Sequence, residues 1–202
     1  MAKPDTVRVI EWPVVEPVSL TEARAQLSLM PDQTEFDALL LGQIATARRL
    51  IEKRLSITLV ATRYRATWAD GVDPGHLPAG YAGWQTGRKI LHLPAPPVLI
   101  SETYPITVTV DGTALASTDY EVDQDSFPAI LTLDNQAYGK IVVTYWAGVA
   151  PGGAIEPMIR SAILAYVTHQ FENRGVLNTE GGGELPQAFE TLLAASSWNG
   201  GW

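Results

Sequence analysis

The hydrophobic period of this chain changes twice, and those two changes constrain the fold more than any motif in it. Over "EFDALLLGQIATARRLIEKRL" (residues 35–55), Phe36, Leu40, Ile44, Ala47, Ile51 and Leu55 recur at intervals of three and four. That spacing lays one apolar stripe along a helix. From Ile57 the period is two. In "ITLVATRYRATW" the residues Thr62, Tyr64, Ala66 and Trp68 alternate with Arg63 and Arg65, the pattern of a half-buried strand. The helical period returns at Pro157, where Met158, Ile159, Ala162, Ile163, Leu164, Tyr166 and Val167 cover most of a helix circumference. The chain therefore reads as α+β. A helical bundle core, made of an N-terminal helix pair and helix 157–173, carries an inserted antiparallel β meander or sandwich over 57–147.

Local signals supply the boundaries. Residues 1–18 read as an extended N-terminal arm, with prolines at 4, 13 and 17. Ser19-Leu-Thr-Glu22 has capping-box spacing and predicts a helix over 19–29. "MPDQTEF" breaks the chain and restarts it, with Asp32 as N-cap and Glu35 three positions on, so the second helix is expected over 32–55. The segments "KILHL", "VLISETYPITVTV" to the Asp111-Gly112 turn, "DYEVD", "AILTL" and "KIVVTYWAG" read as strands. Between the first strand and these lies a Gly/Pro-rich insertion at 70–89, a length that usually signals a contact function or disorder. Pro157 suits the first helical position and Gly175 a C′ residue, so 19–175 reads as one α+β domain. "VLNTEGGGELP" has the composition of a flexible tether. Residues 176–202 are accordingly expected to form a flexible C-terminal arm with a short helix at 186–196.

The chain has 202 residues, a formal net charge of −8 and no cysteine. The missing cysteines exclude disulfide scaffolds, thiolate metal sites and cysteine nucleophiles. No apolar run reaches the length of a membrane span, and the N-terminus lacks the continuous apolar core of a secretory signal. Tight nucleic-acid binding needs a concentrated cationic surface. The densest basic segment, Arg48 to Arg54, is interrupted by Glu52 and reads as a solvated helix face.

The strand–loop–helix segment "VTYWAGVAPGGAIEPMIR" (143–160) has the layout of a phosphate cradle but not its chemistry. No lysine or hydroxyl follows the glycines, Pro151 removes an N–H donor, and Glu156 repels anions. It reads as a corner between strand and helix. Asp119, Glu121, Asp123 and Asp125 fall on one face of a strand, but Gln124 and Ile130 occupy the positions where a calcium loop needs glycine and glutamate. They read as a solvated strand face that discourages edge pairing. His76, His92 and His169 are scattered, and the one helical pair, His169 with Glu172, has no second pair to complete a metal site. No nucleophile elbow is present. No catalytic constellation, metal site or cofactor is expected. Of six tryptophans, Trp68, Trp84 and Trp146 lie in or beside β segments, whereas Trp12, Trp198 and Trp202 lie in the arms, where aromatics usually serve an interface.

The order of these pieces carries a resemblance. "SLTEARAQLSL", "ARRLIEKRL", "TLVATRYRATW", "LHLPAPPV", a "DG" turn before "YEVD", "VTYWAGV", "PMIRSAILAYVTHQFENRG" and "LPQAFETLLAASSW" follow one another as in head–tail connector (adaptor) proteins of long-tailed bacteriophages. The chain resembles the gp6-like and phiE125 gp8-like group, which includes adaptors of gene transfer agents, over about residues 17–198. The 70–89 insertion is longer than the group's pattern. The resemblance implies a non-enzymatic structural subunit, located at the head–tail interface of a virion or phage-like particle and assembled in the bacterial cytoplasm. It implies a ring of twelve copies under the portal protein, a seat for a stopper, head-completion or tail protein, and DNA passing through the lumen without sequence-specific binding. No membrane is involved. Carried over by position, it makes Leu185, Pro186, Phe189, Leu192, Leu193, Trp198 and Trp202 the portal-docking residues. The competing reading is a monomeric carbohydrate- or peptide-binding β module that uses exposed tryptophans.

Overall fold

The computed structural model describes residues 3–30, 32–69, 89–133, 139–173 and 187–195. The chain divides into two compact units, Met1–Val14 with Val60–Pro151, and Val15–Leu59 with Gly152–Trp202. The fold is α+β, with four helices and antiparallel sheets among the described residues.

The second unit is helical. Helix α1 (Leu20–Gln26) begins at the expected capping box: Ser19 Oγ accepts from the Glu22 amide at 3.2 Å, and Glu22 Oε2 accepts from the Ser19 amide at 2.9 Å. The Ser19 amide and the Ser19 hydroxyl both donate to that carboxylate and, helped by Arg160, hold it below its ordinary value. Helix α2 (Asp37–Leu55) starts later than the Asp32 cap predicts. Asp32 sits in a turn in which its carbonyl accepts from the Thr34 amide at 2.9 Å. Phe36 stands at the cap with no side-chain bond, its ring edge-on to Phe171 with centroids 5.2 Å apart. The Asp37 carboxylate is taken by Arg24 of α1, Nε to Oδ1 at 2.9 Å and Nη2 to Oδ2 at 2.6 Å. A tertiary ion pair and an aromatic contact have displaced the local cap.

Helix α3 (Pro157–Glu172) has Pro157 at its first turn, and α4 (Gln187–Ala195) packs on it. Leu40, Ile44, Ala47 and Ile51 of α2 meet Ile159, Ala162, Ile163 and Val167 of α3 in one buried cluster. One charged side chain is buried beside them. Arg48 is 3% exposed; its Nε donates to Glu16 at 2.7 Å and its Nη1 to Glu52 at 2.8 Å. The other Glu52 oxygen accepts from the Leu59 amide at 2.9 Å. Burial pushes the Glu52 carboxyl above its ordinary value despite the arginine. "RRLIEKR" is thus not a solvated face throughout: Arg48 points inward and Arg49 outward.

The first unit holds two antiparallel sheets. The larger pairs β1 (Thr6–Glu11), β2 (Thr62–Trp68), β9 (Ile141–Ala147), β5 (Thr107–Val110) and β6 (Thr113–Ala114) in that order, with β4 (Val98–Leu99) also on β9. The smaller runs β3 (Lys89–His92), β8 (Ile130–Leu133), β7 (Tyr120–Asp123). Inward rows from both, including Trp68, Val143 and Tyr145 on one side and Leu91, Leu131 and Leu133 on the other, form a single apolar cluster, so the unit is a sandwich. Residues 6–11, expected in an arm, are an edge strand paired to β2. The β5–β6 hairpin turns on Asp111 and Gly112, both at positive φ, the two-residue turn that matches strand twist. Within "LPAPP", Pro94 O accepts from the buried Tyr145 hydroxyl at 2.5 Å and Pro97 O from the Gly148 amide at 2.8 Å.

Gly148 explains the corner after β9. Its φ is +98°, and a Cβ there would lie 2.5 Å from the backbone carbonyl of Val60, whose segment bridges Val149. Gly148→Ala is expected to cost at least about 2 kcal/mol in urea unfolding, from the left-handed backbone and the clash together. Arg48→Ala leaves Glu52 buried without its partner and should cost about 3 kcal/mol. The double change Arg48→Met with Glu52→Gln, which keeps the bulk and the Leu59 bond, should cost less than about 1 kcal/mol in the same assay.

Candidate interaction surfaces

The C-terminal helix was the expected docking element, and the structure gives most of its apolar face another use. Phe189, Leu192 and Leu193 fall three and four apart on α4. Phe189 is 1% and Leu193 3% exposed in the helical core, with Leu192 half-buried beside them. The Phe189 ring lies 5.8 Å from Tyr166 of α3 at 52°. Arg54 Nη2 reaches Glu190 at 2.6 Å, a partly exposed pair that contributes little by itself. Gln187, Ala188, Thr191 and Ala194 face outward. Leu185, Pro186, Trp198 and Trp202 lie outside the described residues, as does the 70–89 insertion up to Arg88.

Of the described tryptophans, Trp68 is buried in the sandwich, and Trp146 stands between Tyr104, edge-on at 5.3 Å, and the Arg63 guanidinium at 5.8 Å. Trp12 is 57% exposed, in a run where Val14 and Val15 are exposed too. The acidic segment forms edge strand β7, with Glu121 and Asp123 outward and Asp119 and Asp125 flanking it. The carboxylates serve local turns: Asp123 accepts from the Ser126 hydroxyl and from the Asp125 amide, and Asp119 accepts from the Ala116 amide. The Ser126 hydrogen bond is the main reason that Asp123 sits below the usual carboxylate range. His169 contacts Asn173 one turn on, and His92 is lowered by burial on β3. Among the described residues, no three His, Asp or Glu side chains converge as a metal would require.

A second surface was not visible in the sequence. The outward side of the larger sheet carries three cross-strand rows: Glu11, Arg63, Trp146 and Leu99; Arg8, Arg65, Thr144 and Thr107; Thr6, Thr67, Val142 and Thr109. Lys140 stands at its end. Two adjoining hollows of about 370 and 400 Å³ share Arg65, Thr67 and Lys140 in their walls. The four cations come from three separate chain segments, so only strand pairing reveals them. The alternation of Arg8 with Val7 and Val9 was the available signal.

No protein-family model and no curated protein matches the chain. Solved structures match it in fold over almost its whole length. The chain is similar to one in the neck of an empty gene transfer agent particle computed with C6 symmetry, at 17% identity and a TM-score of 0.64, covering 94% of each chain. A chain in the virion of a native gene transfer agent particle overlaps at 18% identity and TM-score 0.63, again over 94% of each. One in the neck of a native particle computed with C12 symmetry gives 18% identity and TM-score 0.62, covering 94% of this chain and 93% of that one. Such coverage leaves too few residues outside the overlap for either unit to be missing. At these identities the likeness establishes a shared fold.

Phe189→Ala is expected to destabilise the protein by roughly 3–5 kcal/mol in equilibrium unfolding, because it opens a cavity between α3 and α4. Ala188→Ser, on the outward side of the same helix, should change stability by less than about 0.5 kcal/mol.

Proposed function

We propose that this chain is a structural adaptor of the neck of a phage-like particle, one that assembles as a ring and joins the portal to the next head–tail component. The observation that carries the reading is the fold likeness, which runs through both units and covers 94% of the chain. The sequence resemblance, built on the order of "LPAPP", "VTYWAG" and the helix ending "NRG", points the same way on separate grounds. The C6 and C12 symmetries belong to the similar particles; the ring assigned to this chain, twelve copies by analogy, is part of the proposal. The tryptophan-lined binding module has no comparable support, since neither hollow on the larger sheet has a tryptophan in its wall.

The buried state of Phe189 and Leu193 narrows the proposed portal contact. Side chains in the core cannot anchor a partner without unpacking α4, at the cost of the cavity they leave. Docking is therefore assigned to Leu185 and Pro186 before the helix and to Trp198 and Trp202 after it, with the half-exposed edge of Leu192 between. In this reading DNA slides through the lumen past a net-negative subunit.

Sedimentation velocity of the chain with the portal protein of its own particle tests both parts. The full chain should form a ring-sized complex with portal. A chain ending at Ala195 should keep its melting curve and lose at least about tenfold in portal affinity, the loss expected of two aromatic anchors. A full chain that stays monomeric beside portal at every concentration overturns the adaptor role. Unchanged binding by the shortened chain overturns only the assignment of Trp198 and Trp202.

A further inference from the structure

The cations of the β sandwich are concentrated on one surface. Apart from Lys3 and the buried Lys89, every described cation of that unit lies on the outward side of the larger sheet: Arg8, Arg63, Arg65 and Lys140. Four of its eight described carboxylates, Asp119, Glu121, Asp123 and Asp125, lie on or beside β7, the edge strand of the smaller sheet, while Asp5, Glu11, Glu102 and Asp111 lie elsewhere.

The basic side has an arrangement that stability alone does not favour. Arg8 of β1 and Arg65 of β2 are directly opposite in register, and like charges so placed repel. Arg63 has Glu11 at 3.6 Å and the Trp146 ring beneath it. Arg8, Arg65 and Lys140 have no ion pair among the described residues, and all three are exposed. They surround a trough floored by threonine hydroxyls, with Asp111 as the one carboxylate in its wall, beside Lys140, whose amide it accepts at 2.8 Å. A surface of this kind fits a strip of carboxylates spaced along an extended strand.

We propose that the occupant is β7 of a second copy of this chain. The trough offers three cations against the single carboxylate of Asp111, and β7 offers carboxylates along one exposed edge. The two surfaces are different parts of one subunit, so the contact is head-to-tail, the kind that closes into a ring when the rotation allows. DNA is the competing anion. Three cations neutralise too few phosphates to hold a duplex at physiological salt, and the subunit's net charge of −8 opposes it. The inference rests on the adaptor reading and adds the surfaces by which the subunits would meet.

Charge reversal tests it on full-length protein. One variant carries Arg65→Glu and Lys140→Glu. A second carries Glu121→Lys and Asp125→Lys, which spares the turn bonds of Asp119 and Asp123. All four side chains are exposed and outside the core, and thermal melts check that both variants fold. With portal present, each variant alone should assemble at least about tenfold less well than the wild-type chain in 0.15 M salt. An equimolar mixture of the two should assemble again, because each then meets an opposite charge at both contacts. Wild-type assembly should also weaken as salt rises. Either variant assembling like the wild-type chain, or a mixture no better than its parts, overturns the inference and leaves the adaptor role standing. Failure of the wild-type chain to assemble at all overturns both. A basic-side variant that assembles normally but no longer retains a 30-base-pair duplex would reassign the trough to DNA.

Discussion

The guanidinium of Arg48 is the constraint around which the helical unit is arranged. A buried cation is tolerated only when its hydrogen bonds are satisfied, and Glu16 and Glu52 do that here. Glu16 lies two residues after Val14, where the chain passes from one unit to the other, and Leu59, held by Glu52, is the last residue before it passes back. Two bonded side chains of α2, Arg48 and Glu52, therefore hold the helical unit's end of two of the three passages. The sandwich does the equivalent with backbone. Gly148 lets the segment after β9 lie against Val60, and Ala61 donates to Val149 at 3.0 Å. The corner whose glycines suggest a phosphate cradle is in fact a close crossing of two backbones.

How much of this is legible in the sequence depends on how far apart the partners are. The Ser19–Glu22 box lies within one turn, and its cap forms as its spacing implies. The Asp111-Gly112 turn is equally local. The start of α2 is not, because Asp37 is claimed by Arg24 thirteen residues earlier and Phe36 by Phe171 on another helix. Strand β1 fails for the same reason. Its alternation is short, prolines flank it, and the partner that makes it a strand begins more than fifty residues on, so the segment looks like an arm until β2 is placed beside it. "VLISETYPITVTV" reads as one strand but divides into β4 and β5, because Ser101 and Tyr104 close a turn between them.

The interaction surfaces show the same division. The carboxylates of β7 lie close together in sequence, and the shared outward face of Glu121 and Asp123 follows from a period-2 reading. The cations of the larger sheet come from residues 8, 63, 65 and 140, and become a surface only through register. Composition reports the sum of the two, a net negative charge, and so conceals a basic face.

The apolar run on α4 illustrates the converse ambiguity. Phe189, Leu192 and Leu193 have a spacing that is equally suited to a partner's groove and to the chain's own core, since both bury one face of an amphipathic helix. What decides between them is whether a complementary face exists within the chain. Tyr166, Ile163 and Val167 of α3 supply it, so α4 is seated before any partner is met. Burying that face against α3 uses the same physics that would bury it against a partner, so the apolar spacing alone does not distinguish the two.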